Sequence, residues 1–122
     1  MGCAGIVERF LAAMVAHDWD ALSACLADDG FSRVGPFGDE YASKAAYLEF
    51  IGALIPTLPG YSMDLHRVSY ADRVAYAELS ETVTVDGAPL CTAECLVFEL
   101  ASDGCIERVE VFIRSVAGAA EG

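Results

Sequence analysis

The length, composition and charge of this chain exclude several classes of protein. Its 122 residues form one predicted domain, residues 1–122 with a core of about 5–114, which can bury a hydrophobic core without metals or disulfides. Its 19 acidic and 7 basic residues give a net charge of −12, which disfavours nucleic acids and anionic membranes as partners. No apolar run approaches the roughly 20 residues that span a bilayer. Since the N-terminal residues also lack the features of a leader, we expect a cytoplasmic protein.

The cysteines favour a reducing compartment over a disulfide framework. There are five, an odd number, at positions 3, 25, 91, 95 and 105. Cys91 and Cys95 fall on one predicted strand, where residues four apart are separated by roughly 13 Å, too far to bind one metal ion. We interpret all five as small buried hydrophobic side chains. We expect neither metal nor cofactor, because the glycines mark turns and form no phosphate-binding loop.

The first half of the chain predicts three helices. Apolar residues recur at helical spacing over Ile6–Met14, which indicates an amphipathic first helix. Asp18 can cap a short second helix that stops at residues 28–30, Asp-Asp-Gly. Ser43 can cap a third, which runs to Leu54 and is ended by the prolines that follow.

After the third helix, the hydrophobic period changes to two and predicts strands. Four are expected, over Ser62–Ser69, Val74–Val85, Leu90–Leu100 and Ile106–Arg114. The short turns between them, such as Asp86-Gly87, favour a largely antiparallel meander. Three N-terminal helices packed on one face of a curved, mostly antiparallel sheet make an α+β fold, a cone-shaped barrel that leaves an apolar pocket.

Two glutamates interrupt the apolar face of this sheet. Glu81 shares a side of its strand with apolar residues only, and Glu94 shares a side of the next strand with Thr92 and several apolar residues. A hairpin at Asp86-Gly87 would place position 81 opposite a residue near 92, so the two acids should be neighbours.

Two neighbouring carboxyls in an apolar pocket are suited to acid–base chemistry. Lost hydration and the charge of one carboxyl raise the pKa of the other, which provides a proton donor beside a base. Glu81 and Glu94 are therefore the candidate catalytic residues. Alternatively, they lie at an open rim of the sheet or pair with Arg33, Arg73 or Arg108, and then have no catalytic role.

The remaining wall of the pocket should bind the substrate. Arg33 could hold an anionic group, neutralise Glu81, or lie in solvent. The candidate substrate-binding residues come from the helices, from the segment after the second helix and from the inward face of the sheet: Phe10, Met14, Arg33, Phe50, Leu54, Leu79, Val83, Thr92, Leu96, Phe98 and Val111.

Four phrases of the sequence carry a resemblance to a known family. They are, in chain order, 7–13 (VERFLAA), 17–22 (HDWDAL), 26–29 (LADD) and 72–75 (DRVA). Together they resemble the SnoaL-like branch of the nuclear-transport-factor-two-like superfamily, over about residues 5–114. That group includes ketosteroid isomerases, polyketide cyclases and limonene-type epoxide hydrolases. The resemblance implies a cone-shaped fold with a pocket for a hydrophobic small molecule.

The resemblance does not carry over the known catalytic residues. The oxyanion-binding tyrosine of ketosteroid isomerases would fall on Phe10, and their proton-shuttling aspartate on Val34 or Gly35. Their second acid would fall near Leu96. None of these positions has the required side chain.

The catalytic arginine and aspartates of the epoxide hydrolases would fall near Glu81, Val83 and Val111, where only Glu81 is ionisable. Two functions therefore stay open. One is an isomerase-, cyclase- or hydrolase-like enzyme that acts on a hydrophobic cyclic metabolite through Glu81 and Glu94. The other is a non-catalytic module of the same fold for ligand binding or dimerisation.

The outer face of the sheet predicts a partner. A strip of small apolar residues on the third predicted strand, together with Phe112 on the fourth, would face water in a monomer: Cys91, Ala93, Cys95 and Val97. The ketosteroid isomerase relatives pair through their sheets, so both pattern and resemblance favour a homodimer.

Overall fold

The computed structural model describes residues 5–114, which form three helices and a six-stranded sheet. The helices are α1 (Ile6–Ala16), α2 (Trp19–Ala24) and α3 (Lys44–Leu54), and a 3₁₀ turn, Ile55–Thr57, follows α3. Both predicted N-caps are confirmed, because Asp18 accepts a hydrogen bond from the Ala21 N–H at 3.1 Å and Ser43 accepts one from the Ala46 N–H at 3.1 Å. None of the described helices combines the length and hydropathy needed to cross a lipid bilayer.

The sheet is open and mixed, with the strand order β2-β1-β6-β5-β4-β3. Its strands are β1 (Ser32–Val34), β2 (Glu40–Tyr41), β3 (Ser62–Ala71), β4 (Val74–Val85), β5 (Ala88–Leu100) and β6 (Ile106–Ile113). The last four are the predicted antiparallel meander, so the α+β class and the mostly antiparallel sheet are confirmed.

The sequence pattern missed β1 and β2, which lie between α2 and α3 in the chain. β1 pairs in parallel with β6, and β2 pairs antiparallel with β1. Strands of two or three residues are too short to show alternation, and their pairing depends on a partner far along the chain. The helices therefore do not all precede the strands.

The β4–β5 hairpin fixes the positions of the glutamates. Asp86 and Gly87 both have positive φ, 52° and 79°, as a type I′ turn requires. Val85 therefore pairs with Ala88, and the ladder continues to Glu81 opposite Thr92. The predicted register is confirmed.

The helices cover the inner face of the sheet, and the packing is densest at one end. Phe10 of α1 meets Phe98 of β5 edge to face at 5.7 Å, and Ala75 and Ala77 beneath them are completely buried. Burial decreases along β4 toward Glu81, which is only partly covered. The core is thus filled at one end of the cone and open at the other.

The cysteines differ from the expectation that all are buried. Cys25 is buried, whereas Cys91 is exposed because it lies on the outer face of β5. Cys95 and Cys105 are half-buried. Cys3 lies outside the described residues.

Candidate active site

A cavity of about 300 Å³ lies between the helices and the open end of the sheet. Its helical wall comes from α1, α3 and the segment after α3: Met14, Tyr47, Ile51, Leu54, Ile55 and Leu58. Its sheet wall comes from β4, β5 and β6: Glu81, Thr92, Glu94, Leu96, Val109 and Val111. Arg33, Pro36 and Ile113 complete the lining. Both candidate catalytic glutamates are therefore in the cavity wall.

The predicted binding residues divide into two groups. Those in the cavity wall are Met14, Arg33, Leu54, Thr92, Leu96 and Val111. Phe10, Leu79 and Phe98 are instead completely buried in the core. These three support the cavity but do not line it.

Phe50 and Val83 also lie away from the cavity. Phe50 stacks on Tyr41 of β2 at 4.3 Å, on the far side of Arg33. Val83 is half-buried, two residues past Glu81 toward the hairpin turn, where the strand extends beyond the cavity. Alternation identified the correct face for Val83 but not how far the cavity extends along the strand.

Glu81 and Glu94 are diagonal neighbours on the inner face of the sheet. Glu81 pairs with Thr92, and Leu79 pairs with Glu94, so the two glutamates lie two residue pairs apart along the ladder and are next to each other on the same face of the sheet. Burial, a hydrogen bond with Glu81 and the charge of Glu81 raise the pKa of Glu94 to about 9, while Arg33 opposes this shift. At neutral pH, Glu94 therefore holds a proton beside the Glu81 carboxyl.

Tyr61 forms a hydrogen bond with the Glu81 carboxyl of this pair. Its hydroxyl donates a hydrogen bond to Oε2 of Glu81 and lies 3.9 Å from the sulfur of Met14. Burial and the negative charge of Glu81 raise the pKa of Tyr61 above its ordinary value, so the phenol stays protonated. Sequence reasoning missed Tyr61, because the residue precedes β3 and carries no pattern that indicates its partner.

Tyr47 is a second buried tyrosine in the wall. Burial raises its pKa above the ordinary value, and its ring packs against Phe10 and Phe31. Tyr47 and Ile51 lie one turn apart on α3, so they share its buried face.

Arg33 is held at the edge of the cavity by two interactions. Its Nη1 lies 3.1 Å from Oδ2 of Asp39, and its guanidinium carbon is 5.2 Å from the centre of the Phe50 ring. The side chain is only 14% exposed, so Arg33 does not lie in solvent. It still lowers the pKa of Glu94 through its charge.

The alternative in which arginines neutralise the two glutamates is not what the structure shows. Within residues 5–114, no arginine forms an ion pair with Glu81 or Glu94. Arg73 donates to the carbonyl of Leu100, and Arg108 pairs with two other glutamates of β5 and β6. In the same part of the chain, no group of three or more histidine, cysteine or acidic residues is arranged to bind a metal.

The fold and the site define the class of protein. Three helices over an open, curved, mixed sheet, with a cavity at the open end, make a nuclear-transport-factor-two-like α+β cone. The family model of the SnoaL-like domain matches residues 7–109, and the chain belongs to this family.

Solved structures of the same fold include proteins assigned to three kinds of enzyme. An epoxide hydrolase of the limonene type from M. tuberculosis superposes with a TM-score of 0.76 at 19% identity, over 89% of this chain and 80% of that one. A protein from Kribbella flavida assigned as a ketosteroid isomerase gives 0.75 at 20% identity, over 90% and 76%. A protein from Shewanella denitrificans assigned as a SnoaL-like polyketide cyclase gives 0.80 at 7% identity, over 94% and 92%.

At these identities, the likeness establishes the fold alone. A search of curated proteins found no significant match. Any activity must therefore be argued from the cavity of this chain.

Proposed function

We propose that this protein is a small enzyme that acts on a hydrophobic cyclic metabolite by general acid–base catalysis, without a cofactor. The observation that carries the proposal is the diagonal pair of Glu81 and Glu94 in an otherwise mostly apolar cavity, where burial and the neighbouring Glu81 raise the pKa of Glu94. The pair supplies an acid and a base at one place, which is the minimum that isomerisation, cyclisation and epoxide opening require.

The two carboxyls would have complementary roles. Glu81 would accept a proton from a carbon next to a carbonyl, or from an attacking hydroxyl or water. Glu94 would give its proton to the carbonyl or epoxide oxygen as negative charge develops there, so that one proton enters the substrate as another leaves. Arg33 would stabilise the same oxygen through its charge.

The size of the cavity limits the size of the substrate. A volume of about 300 Å³ is at the lower end of the range for small-molecule pockets, about 300–1,000 Å³. This favours a small ring compound, such as a terpenoid or a short polyketide.

The test combines turnover and binding for a panel of one- and two-ring ketones and epoxides. In E81Q and E94Q, kcat should fall about 10²- to 10⁴-fold, the usual contribution of a positioned acid or base, while the dissociation constant changes little. Glu78→Gln is the matched control, because Glu78 lies on the same strand as Glu81 but bonds to Arg67 on the outer face. If E81Q and E94Q turn over as fast as the control, the acid–base proposal is wrong.

A ligand-binding module is the second candidate. The positions that carry catalytic groups in ketosteroid isomerases hold Phe10, Val34 or Gly35, and Leu96 here, which favours this alternative. It predicts that panel compounds bind and stay unchanged, and that E81Q and E94Q bind them as the original protein does.

We further propose that the partner is a second copy of this chain, bound through the outer face of the sheet. A shallow depression on this face is lined in part by Tyr76, Ala93, Cys95 and Phe112. Phe112 is 50% exposed and Tyr76 is 41% exposed, and exposed apolar side chains grouped on one face are typical of a partner surface.

We also propose a cytoplasmic location. The four cysteines within residues 5–114 are all free thiols, as expected in a reducing compartment.

A further inference from the structure

We propose that Tyr61 is a positioning residue that determines which of the two cavity glutamates is the base. By donating its hydroxyl hydrogen to Glu81 alone, Tyr61 holds that side chain as a carboxylate and leaves the shared proton on Glu94. This inference rests on the proposed function for the roles of the glutamates, but it concerns the proton itself and can be tested without a substrate.

The geometry explains why Tyr61 acts only through Glu81. Tyr61 immediately precedes β3, and the β3–β4 register places Met63 opposite Glu81. The tyrosine ring therefore approaches Glu81 from the neighbouring strand, and it is not part of the cavity wall. Its hydroxyl also meets the sulfur of Met14 on α1, which helps to hold the ring in place.

The other groups around the pair do not make the same distinction. Tyr47 faces the pair from α3 and Arg33 faces it from β1, but the side-chain hydrogen bond of Arg33 is to Asp39. α1 contributes Met14, and β6 contributes only the aliphatic Val109, Val111 and Ile113. The two glutamates share one hydrogen bond with each other. Within residues 5–114, Tyr61 is the only other side chain that forms a hydrogen bond with either of them, and its acceptor is Glu81.

A hydrogen bond donated to a carboxylate favours the ionised form of its acceptor. The two glutamates otherwise share one wall and one strand pair, and the charge of Arg33 favours the ionised form of Glu94, against the effect of the phenol. The phenol favours the ionised form of Glu81, because the state with Glu81 ionised and Glu94 protonated keeps the bond at full strength. The opposite state weakens the bond.

The experiment is a titration of the glutamate side-chain carbons by ¹³C NMR in the full chain, for the original protein and for Tyr61→Phe. The pair should lose its two protons in two steps. In Y61F, the lower step should rise by about one pH unit, since a hydrogen bond to a charged group is lost. The upper step, in which Glu94 loses its proton, should move less, because Glu81 is ionised both before and after that step.

Tyr70→Phe is the matched control. Tyr70 lies on β3 and donates to a glutamate in the same way, at 2.6 Å, but its acceptor is Glu8 at the surface. Y70F should leave both steps of the cavity pair unchanged. The proposal is overturned if Y61F titrates like Y70F and the original protein.

A second measurement reads the same bond from the tyrosine side. Burial raises the pKa of Tyr61 most, and the charge and hydrogen bond of Glu81 raise it further. Because E81Q removes these two contributions of Glu81, the phenolate absorbance of one tyrosine should appear at lower pH than in the original protein. An unchanged tyrosine titration in E81Q would also overturn the proposal. Failure of the proposed function has a different signature, in which both titrations shift as expected and no panel compound is turned over.

Discussion

At the scale of single residues, the two cavity glutamates show how surroundings separate chemically identical side chains. Both lie on the inner face of the sheet, on neighbouring strands and at diagonal positions two residue pairs apart. The Glu81 carboxylate accepts a hydrogen bond from the hydroxyl of Tyr61, whereas burial, a hydrogen bond with Glu81 and the charge of Glu81 raise the pKa of Glu94 well above its usual range. In the proposed function, their roles as base and acid would follow from this difference and not from the residue type.

The raised pKa of Glu94 should make stability depend on pH. In the folded protein Glu94 holds its proton up to about pH 9, whereas the unfolded chain releases it near 4.5. The folded state therefore binds more protons between these values, and the free energy of unfolding should decrease as the pH rises from about 4.5 to about 9. Urea unfolding at pH 5, 7 and 9 measures this slope.

Glu94→Gln removes the carboxyl group that binds this extra proton in the folded state. The slope between the two pKa values should become less negative in E94Q, while Glu78→Gln, on the outer face of the neighbouring strand, should keep the original slope. Equal slopes for all three proteins would contradict a buried, protonated Glu94.

Period-two alternation predicted that Glu81 and Glu94 face inward, because alternation and the hairpin turn are both local signals. It could not predict Tyr61, whose contact with Glu81 depends on the turn before β3 and on the β3–β4 register. Nor could it predict the surroundings of Arg33, since Asp39 and Phe50 reach it only through pairing of short strands and packing of α3.

At the scale of elements, the sequence was most informative where a structure is decided within a few residues. The caps of α2 and α3 and the β4–β5 turn were predicted from single residues whose side chain or backbone freedom is needed at that point. β1 was missed because it has only three residues and is stabilised by pairing with β6, which lies far from it in the sequence.

The turn and the helix can be compared with the same substitution. Gly87 has a φ of 79°, and a methyl group added to it would have no neighbour within 4 Å, so Gly87→Ala causes no clash but forces a left-handed conformation on alanine. It should destabilise the protein by roughly 1–2 kcal/mol. Gly52 lies inside α3, where an added methyl group would be 4.0 Å from Trp19, an ordinary contact.

Gly52→Ala should therefore stabilise the protein by roughly 0.5–1 kcal/mol, because alanine favours a helix. Urea midpoints of the two variants should move in opposite directions from that of the original protein. A shift in the same direction would show that one of the two backbone assignments is wrong.

At the scale of the whole molecule, the cavity results from how side-chain size varies along the cone. Ala75 and Ala77 let Phe10 and Phe98 fill one end completely, while burial decreases along β4 toward Glu81. Alternation shows which face a residue occupies but not its depth along the strand. For this reason the sequence assigned Phe10, Leu79 and Phe98 to the wall although they lie in the core.

The outer face of the sheet gives the last prediction, which concerns assembly. A homodimer through this face would cover Phe112 and Tyr76, which are large and half-exposed in the single chain. Burial of such side chains stabilises an interface, and a lysine at position 112 would have to lose its hydration there. Sedimentation equilibrium should therefore give twice the chain mass of 12.9 kDa for the original protein and one chain mass for Phe112→Lys.

Phe37→Lys is the control, because Phe37 is 86% exposed in the β1–β2 turn and does not lie on the outer face of the meander. It makes the same change in charge and size, so it should leave the dimer intact. A dimer that survives F112K would place the interface elsewhere, and a monomer in the original protein would mean that the exposed aromatic residues serve another purpose. Since the chain carries a net charge of −12, the dimer should also tighten as salt screens the repulsion between two copies.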